Sequence, residues 1–239
     1  VDAIETPYKL ALTGTPLQNN LQECFTLINW ISPGLLGSSK QFQNCFGSDI
    51  ENENDYAKSQ GRVHMLKQKL DTVVFRRDTL ASILPRKREY RVALTVPAIT
   101  FQSTSLLVNY NETLKQTMQT KIDAITMMLQ EIAQSNKKTV VFSGRKQVLY
   151  SLKERLDGPL VAGETQTHDR QAAIDLFQTD DSVNVIYIST MTGAQGINLT
   201  AATEVIIADA SFNPTWEMQA VCRCWRIGQW HPVNVYRII

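Results

Sequence analysis

Apolar positions divide the chain into a helical, polar-rich first part and a second part in which apolar runs alternate with amphipathic segments. Residues 8–12 read as a short strand that runs into Thr13-Gly14-Thr15-Pro16, a tight turn with hydroxyls on both sides of a glycine. In the helix that follows, Leu21, Phe25, Leu27, Ile28 and Ile31 keep the helical period, and Ser32-Pro33-Gly34 stops it. Residues 38–75 read as helical but polar in the middle. There Glu51-Asn52-Glu53-Asn54-Asp55 forms an acidic loop between two helices, so this stretch is expected to be an appendage. Leu84-Pro85-Arg86-Lys87-Arg88 breaks the helical pattern, and residues 90–96 alternate as a strand within a connecting segment.

Beyond Pro97 the alternation becomes regular. An amphipathic helix over 109–134 leads into the apolar run 138–143, short enough for a parallel strand buried on both faces. Helix 146–156, strand 160–161, helix 169–177, strand 184–189, a glycine-rich turn, strand 204–209, helix 215–226 and strand 233–238 complete a doubly wound α/β domain.

A length of 239 residues with 43% hydrophobic and 20% charged positions fits one or two globular domains and excludes disordered and fibrous classes. With 24 Lys+Arg against 23 Asp+Glu the net charge is +1, so any polyanion would have to be met by a local surface. No run approaches the roughly 18 apolar residues of a membrane span, and the first residues lack a basic stretch followed by an apolar core. The expectation is a soluble, intracellular chain without a membrane partner. Cys24, Cys45, Cys222 and Cys224 form no C-x-x-C pair and His64, His168 and His231 are scattered, so no metal site is expected. Val1 stands where an initiator methionine would, which leads us to expect a fragment.

In open α/β sheets ligands collect at the carboxyl ends of the strands, which directs attention to the loops after Phe142, Ser189 and Asp209. The loop after Ser189 contains Thr190, Gly193, Gly196 and Asn198: glycines that let a backbone approach a ligand, and hydroxyls that can meet phosphate oxygens. Ser211-Phe212-Asn213-Pro214 starts a helix, with Asn213 as N-cap and Pro214 at the first position. On that helix Gln219, Arg223 and Arg226 fall at i, i+4 and i+7 on one stripe. The stripe reads either as a phosphate chelate or as a solvated basic face.

Four motifs in order carry a resemblance: Leu-Thr-Gly-Thr-Pro-Leu-Gln-Asn-Asn over 12–20, Val-Val-Phe-Ser over 140–143, the Ser-Thr-x-x-Gly-x-x-Gly-Ile-Asn-Leu-Thr-Ala-Ala pattern over 189–202, and Gln-x-x-x-Arg-x-x-Arg-Ile-Gly-Gln over 219–229. The chain resembles the SWI/SNF-like family of superfamily-two DNA translocases from helicase motif III to motif VI. Leu36-Gly37-Ser38, Leu84-Pro85-x-Lys87 and Gln219–Arg223 look most like the ATRX-like branch. Arg-Ile-Gly-Gln at 226–229, where D-E-A-D-box RNA helicases usually carry Arg-x-Gly-Arg, argues against an RNA unwinder.

The resemblance implies an α/β, RecA-like architecture: the end of a first RecA-like lobe over 1–33, a helical protrusion and interlobe linker over 34–97, and a second RecA-like lobe, the helicase C-terminal domain, over 98–239. It implies Arg226 as the arginine finger with Arg223 beside it on the triphosphate and Gln219 nearby. Gly14 and Thr15 with Gly193, Gly196 and Asn198 become nucleotide-binding or coupling residues, and Ser143, Gly163, Thr165, Arg170 and Thr190 DNA contacts. ATP and Mg²⁺ are the implied cofactors, double-stranded DNA the sequence-independent partner, nucleosomes or chromatin proteins further partners, and the nucleus the location.

Neither G-x-x-x-x-G-K-[ST] nor D-E-x-H occurs in the sequence, so these 239 residues alone are expected not to hydrolyse ATP. Met191 replaces a basic residue usual in the family, Ala194 a frequent glycine and Cys222 a frequent acid. These departures leave two readings: a DNA motor, or a non-catalytic DNA-binding or regulatory module with a degenerate ATPase.

Overall fold

The computed structural model describes residues 6–14, 20–47, 56–76, 83–95, 106–193, 196–210 and 213–239. The chain divides into two units, Val1–Asp78 and Thr79–Ile239. The compact units thus divide between residues 78 and 79.

In the first unit, helix α1 (Leu21–Ile31) starts where the Asn20 side chain accepts the Glu23 N–H at 3.0 Å. Helix α2 (Ser39–Phe42) is opened by a capping box between Ser38 and Gln41 and continues into a π-helical turn, Gln43–Gly47. Helix α3 (Tyr56–Leu70) follows. Leu21, Cys24, Phe25 and Ile28 of α1 share one core with Leu36, Phe42, Phe46 and Leu66. Phe42 lies 5.1 Å from Phe25 and 5.2 Å from Phe46, ring centre to ring centre. The stretch expected as an appendage thus supplies Phe42, Phe46 and Leu66 to the core in which α1 buries its apolar face. The acidic loop 51–55 lies outside the described residues.

Residues 8–12 form no strand, and Tyr8, Leu10 and Leu12 are exposed. A strand needs a neighbour for its ladder, and the described residues of this unit contain none.

The second unit is a six-stranded, wholly parallel sheet. Its elements run β1 (Lys87–Val92), α4 (Leu106–Gln134), β2 (Thr139–Ser143), α5 (Lys146–Arg155), β3 (Leu160–Val161), α6 (Thr167–Thr179), β4 (Val185–Ser189), α7 (Thr190–Gly193), β5 (Glu204–Ile207), α8 (Pro214–Cys224) and β6 (Val233–Ile238). The spatial order is β1-β6-β5-β2-β4-β3, with all pairs parallel. β1, expected in a linker, pairs with β6 from Lys87 against Val233 to Val92 against Ile238.

Successive strand residues point to opposite faces and bury on both. Val140, Phe142, Ile186, Ile188, Val205 and Ile207 pack with Ile174 and Phe177 of α6 and Ala220, Val221 and Cys224 of α8. Val141, Tyr187 and Ile206 pack on the other face with Ile122, Ile125 and Leu129 of α4 and Val148, Leu149 and Leu152 of α5. The doubly wound, three-layer α/β fold read from the sequence is the one observed. No helix among the described residues is long and apolar enough to cross a membrane.

Candidate functional site

The carboxyl ends of β2, β4 and β5 lie side by side in the sheet, and three loops leave from them. Ser143, the last residue of β2, is 1% exposed. Its hydroxyl donates to Asp209 Oδ2 and accepts the Arg145 N–H at 3.0 Å, while Lys121 Nζ sits 3.0 Å from Asp209 Oδ1. The hydroxyl expected to meet DNA phosphate is therefore turned inward, where it fixes the loops after β2 and β5 to each other. Beside this network Thr117, Met118, Lys121, Arg145, Val148 and Asp209 line a cavity of about 250 Å³.

The loop after β4 begins with the helical turn α7, in which Thr190 is half-buried and Gly193 is last. Gly196 follows with φ +52°, a left-handed value that favours glycine. Ile197 and Leu199 are buried while Asn198 is exposed. The segment is held from both sides. The Asn198 carbonyl accepts from Gln178 Nε2 at 3.0 Å, and the Gln178 Oε1 accepts the Ala201 N–H at 2.8 Å. From the other side the Leu199 N–H donates to the Arg223 carbonyl at 3.0 Å, and the Gln229 side chain donates to the carbonyls of Thr200 and Ala202 at 2.9 Å each. Gln178 was not singled out from the sequence; a single glutamine on an amphipathic helix carries no local signal of a contact twenty residues away.

Arg170, expected at DNA, is half-buried on α6 and donates to the Thr165 carbonyl at 3.4 Å. Thr165 Oγ1 accepts the Ala162 N–H at 2.9 Å, closing the turn that exposes Gly163. Arg170, Ile174 and Gln178 on one wall and Gly196, Ile197 and Asn198 on the other enclose a groove of about 550 Å³. A predicted DNA-contacting residue and two predicted coupling residues thus share one groove.

Helix α8 starts as read: Asn213 accepts the Thr215 N–H at 3.0 Å and Pro214 takes the first position. It ends earlier than read. Cys224 is its last residue, and Trp225 leaves helical geometry at φ −92°, ψ 84°. Gln219 and Arg223 lie one turn apart on the helix, but Arg226 is in the turn beyond it, so the three-residue stripe is not a helix face. A turn in which the Gln229 N–H returns to the Arg226 carbonyl, with Gly228 at φ +98°, replaces the final helical residues.

Both arginines nevertheless border the loop after β4, Arg223 through its carbonyl on the Leu199 N–H and Arg226 through its guanidinium. Both arginines are half-buried. Burial pushes the Arg223 pKa down, and the charge of Arg226 pushes it further in the same direction. Arg226 Nη1 donates to the Ile197 carbonyl at 3.4 Å, and among the described residues it pairs with no carboxylate. Two partly dehydrated cations beside a loop of backbone dipoles make a place for a multiply charged oxyanion. Among the described residues no three His, Cys, Asp or Glu side chains gather. Of the first unit's expected residues, Gly14 is exposed and Thr15 lies outside the described residues.

Residues 120–228 match the helicase conserved C-terminal domain, and residues 1–155 match the SNF2-related domain. The mouse SWI/SNF-related matrix-associated actin-dependent regulator of chromatin subfamily A member 1 is 27% identical over 97% of this chain and 26% of its own length. Chromodomain-helicase-DNA-binding protein 7 of Gallus gallus is 28% identical over 99% of this chain and 10% of its own length. The chain thus spans about a quarter or less of these two relatives. The C-terminal part of the Fun30 ATPase domain superposes with a TM-score of 0.48 at 28% identity, covering 86% of this chain and 62% of that one. Since the SNF2-related domain alone accounts for well over half of the sequence, the chain belongs to the SNF2-related family, with a helicase C-terminal domain as its second part.

Proposed function

We propose that this sequence provides the arginine-bearing part of an ATP-driven motor that moves on double-stranded DNA. The observation that carries the reading is that Arg223 and Arg226, both half-buried, are both bonded to the loop after β4, through the Leu199 N–H and the Ile197 carbonyl. Negative charge spreads over the γ-phosphoryl oxygens as the terminal phosphate is transferred. A permanently charged planar guanidinium placed there stabilises that state by roughly 10³–10⁵ in rate. Arg226 takes the finger role, Arg223 holds the neighbouring phosphate oxygens and Gln219 supports them. Gly14, Thr15, Gly193, Gly196 and Asn198 belong to the coupling between nucleotide and DNA.

The groove beside Arg170, together with Gly163, Thr165 and Thr190, tracks the DNA backbone. Phosphate contacts carry no base information, so binding there is sequence-independent and weakens with salt. Mg²⁺ enters through residues outside this set. By analogy with relatives named as a regulator of chromatin and a chromodomain-helicase-DNA-binding protein, the whole protein acts in the nucleus on chromatin, nucleosomes included, and the Leu84-Pro85-x-Lys87 and Gln219–Arg223 segments favour an ATRX-like branch.

Without a phosphate loop or an acidic box, the 239 residues alone are inert toward ATP. The test is Arg226→Ala in the whole protein. We expect DNA-stimulated turnover to fall at least a thousandfold with DNA affinity within twofold of the parent. Unchanged turnover would reject the finger, and turnover by the isolated 239 residues would reject the division of labour.

A further inference from the structure

The turn that carries Arg226 is held by an element the motifs do not include. Trp225, between the two arginines, caps α8 by donating its backbone N–H to the Val221 carbonyl at 2.9 Å. Its half-buried indole packs against the core on one face of the sheet. Its Nε1–H donates to the Pro85 carbonyl at 2.7 Å, a short, neutral bond to a backbone oxygen just upstream of β1. The β1–β6 ladder is joined one residue later, where the Val233 N–H donates to the Arg86 carbonyl, so the Pro85 oxygen is left to the indole. Lys87 Nζ lies 4.8 Å from the centre of the Trp225 ring and 2.7 Å from Glu89 Oε1.

The same strand reaches the other end of α8. Glu89 Oε2 accepts from Arg237 Nη1 at 2.5 Å, and Arg237 Nε donates at 3.0 Å to Glu217, a buried carboxylate in the first turn of α8. β1 and the residues that feed it therefore hold α8 at both ends, through Glu89–Arg237–Glu217 at its start and Pro85–Trp225 at its finish.

We propose that Trp225 is a positioning residue for the arginine pair, and that its indole N–H, anchored on the Pro85 carbonyl, sets the placement of Arg226 from the chain that feeds β1. A purely apolar role would need only the ring. The hydrogen bond gives the ring a fixed azimuth, and Arg226 is the next residue along the chain. A guanidinium displaced by an ångström loses its transition-state contact while the substrate can still bind. The inference rests on the proposed hydrolytic role of Arg226.

Two variants separate the polar from the apolar contribution. Trp225→Phe keeps an aromatic ring and removes the donor; Trp225→His restores an N–H on a smaller ring. In the whole protein Trp225→Phe is expected to lower kcat for DNA-stimulated ATP hydrolysis about tenfold, with KM for ATP and DNA affinity unchanged, and Trp225→His to recover part of the loss. Parent-like kcat in Trp225→Phe, or a loss that histidine does not relieve, overturns the proposal. Arg226→Ala is the control that tells the two ideas apart. If it retains turnover, the finger reading is at fault, and the latch is then judged by amide exchange in the 239-residue chain. There Trp225→Phe should speed exchange of Leu199, whose N–H is held by the Arg223 carbonyl; unchanged protection overturns the latch.

Discussion

Ser143→Ala should cost stability and leave DNA binding alone, the reverse of what its place in the Val-Val-Phe-Ser motif suggests. The serine side chain is 1% exposed, and the Asp209 and Lys121 side chains it organises are 16% and 19% exposed, so bulk water does not replace a lost hydroxyl there. Removing it takes the donor from Asp209 Oδ2 and the acceptor from the Arg145 N–H. A buried group left without its partner costs about 1–3 kcal/mol. With a urea dependence of about 2 kcal/mol per molar, the unfolding midpoint of the second unit should fall by about 1 M at constant slope. Arg170→Ala, by contrast, removes a guanidinium from the open groove. Its effect should appear in a salt titration of binding to a DNA duplex, where each lost phosphate contact reduces the slope of log K against log salt by about 0.9. Fluorescence-monitored unfolding and DNA titrations on both variants settle the matter. A Ser143→Ala chain of parental stability with a shallower salt slope would refute the inward role of the hydroxyl.

Two further outcomes can be measured directly. The Glu164 carboxylate, hydrogen-bonded by Lys146 and by Tyr150, is held down to a pKa of about 2. A depressed pKa contributes stability above the unfolded value of about 4.5 that is lost as pH falls toward 2, so the unfolding curves of parent and Glu164→Gln should differ at neutral pH and converge at the acid end. At Gly158 an added Cβ would lie 2.6 Å from the Val185 carbonyl oxygen and 2.8 Å from its side chain. Gly158→Ala is expected to lower stability by about 1–3 kcal/mol by forcing the segment before β3 away from β4, and to raise amide exchange of Tyr187, which donates to the Pro159 carbonyl.

The central strands were legible because burial on both faces requires an uninterrupted apolar run, and 140–142, 185–188 and 205–208 provide one. β1 was legible as a strand but not as a member of the sheet: Lys87-Arg88-Glu89-Tyr90-Arg91 is an exposed edge whose charges conceal its pairing with β6. Residues 8–12 have the opposite character, apolar enough for a strand but without one beside them among the described residues of their unit. The early end of α8 had a local signal in Gly228, four residues past Cys224, which helical spacing outweighed in the sequence reading. The contacts of Gln178 and Gln229 had none, since each depends on a loop brought near by the sheet.

Those two glutamines explain why the site is better described by its loop than by its motifs. From α6, Gln178 holds the Asn198 carbonyl and the Ala201 N–H; from the turn after α8, Gln229 holds the Thr200 and Ala202 carbonyls, and Arg226 holds Ile197. With the Leu199 N–H on the Arg223 carbonyl, each of the six residues 197–202 is held from one flank or the other, and one flank borders the groove beside Arg170 while the other carries the two arginines. A backbone bound in this way cannot shift toward a ligand in the groove without changing its bonds to the arginine turn. In a motor, the phosphate-tracking surface and the charge that stabilises phosphoryl transfer would answer to a single short segment, whose one required glycine, Gly196, lies at the edge of the groove.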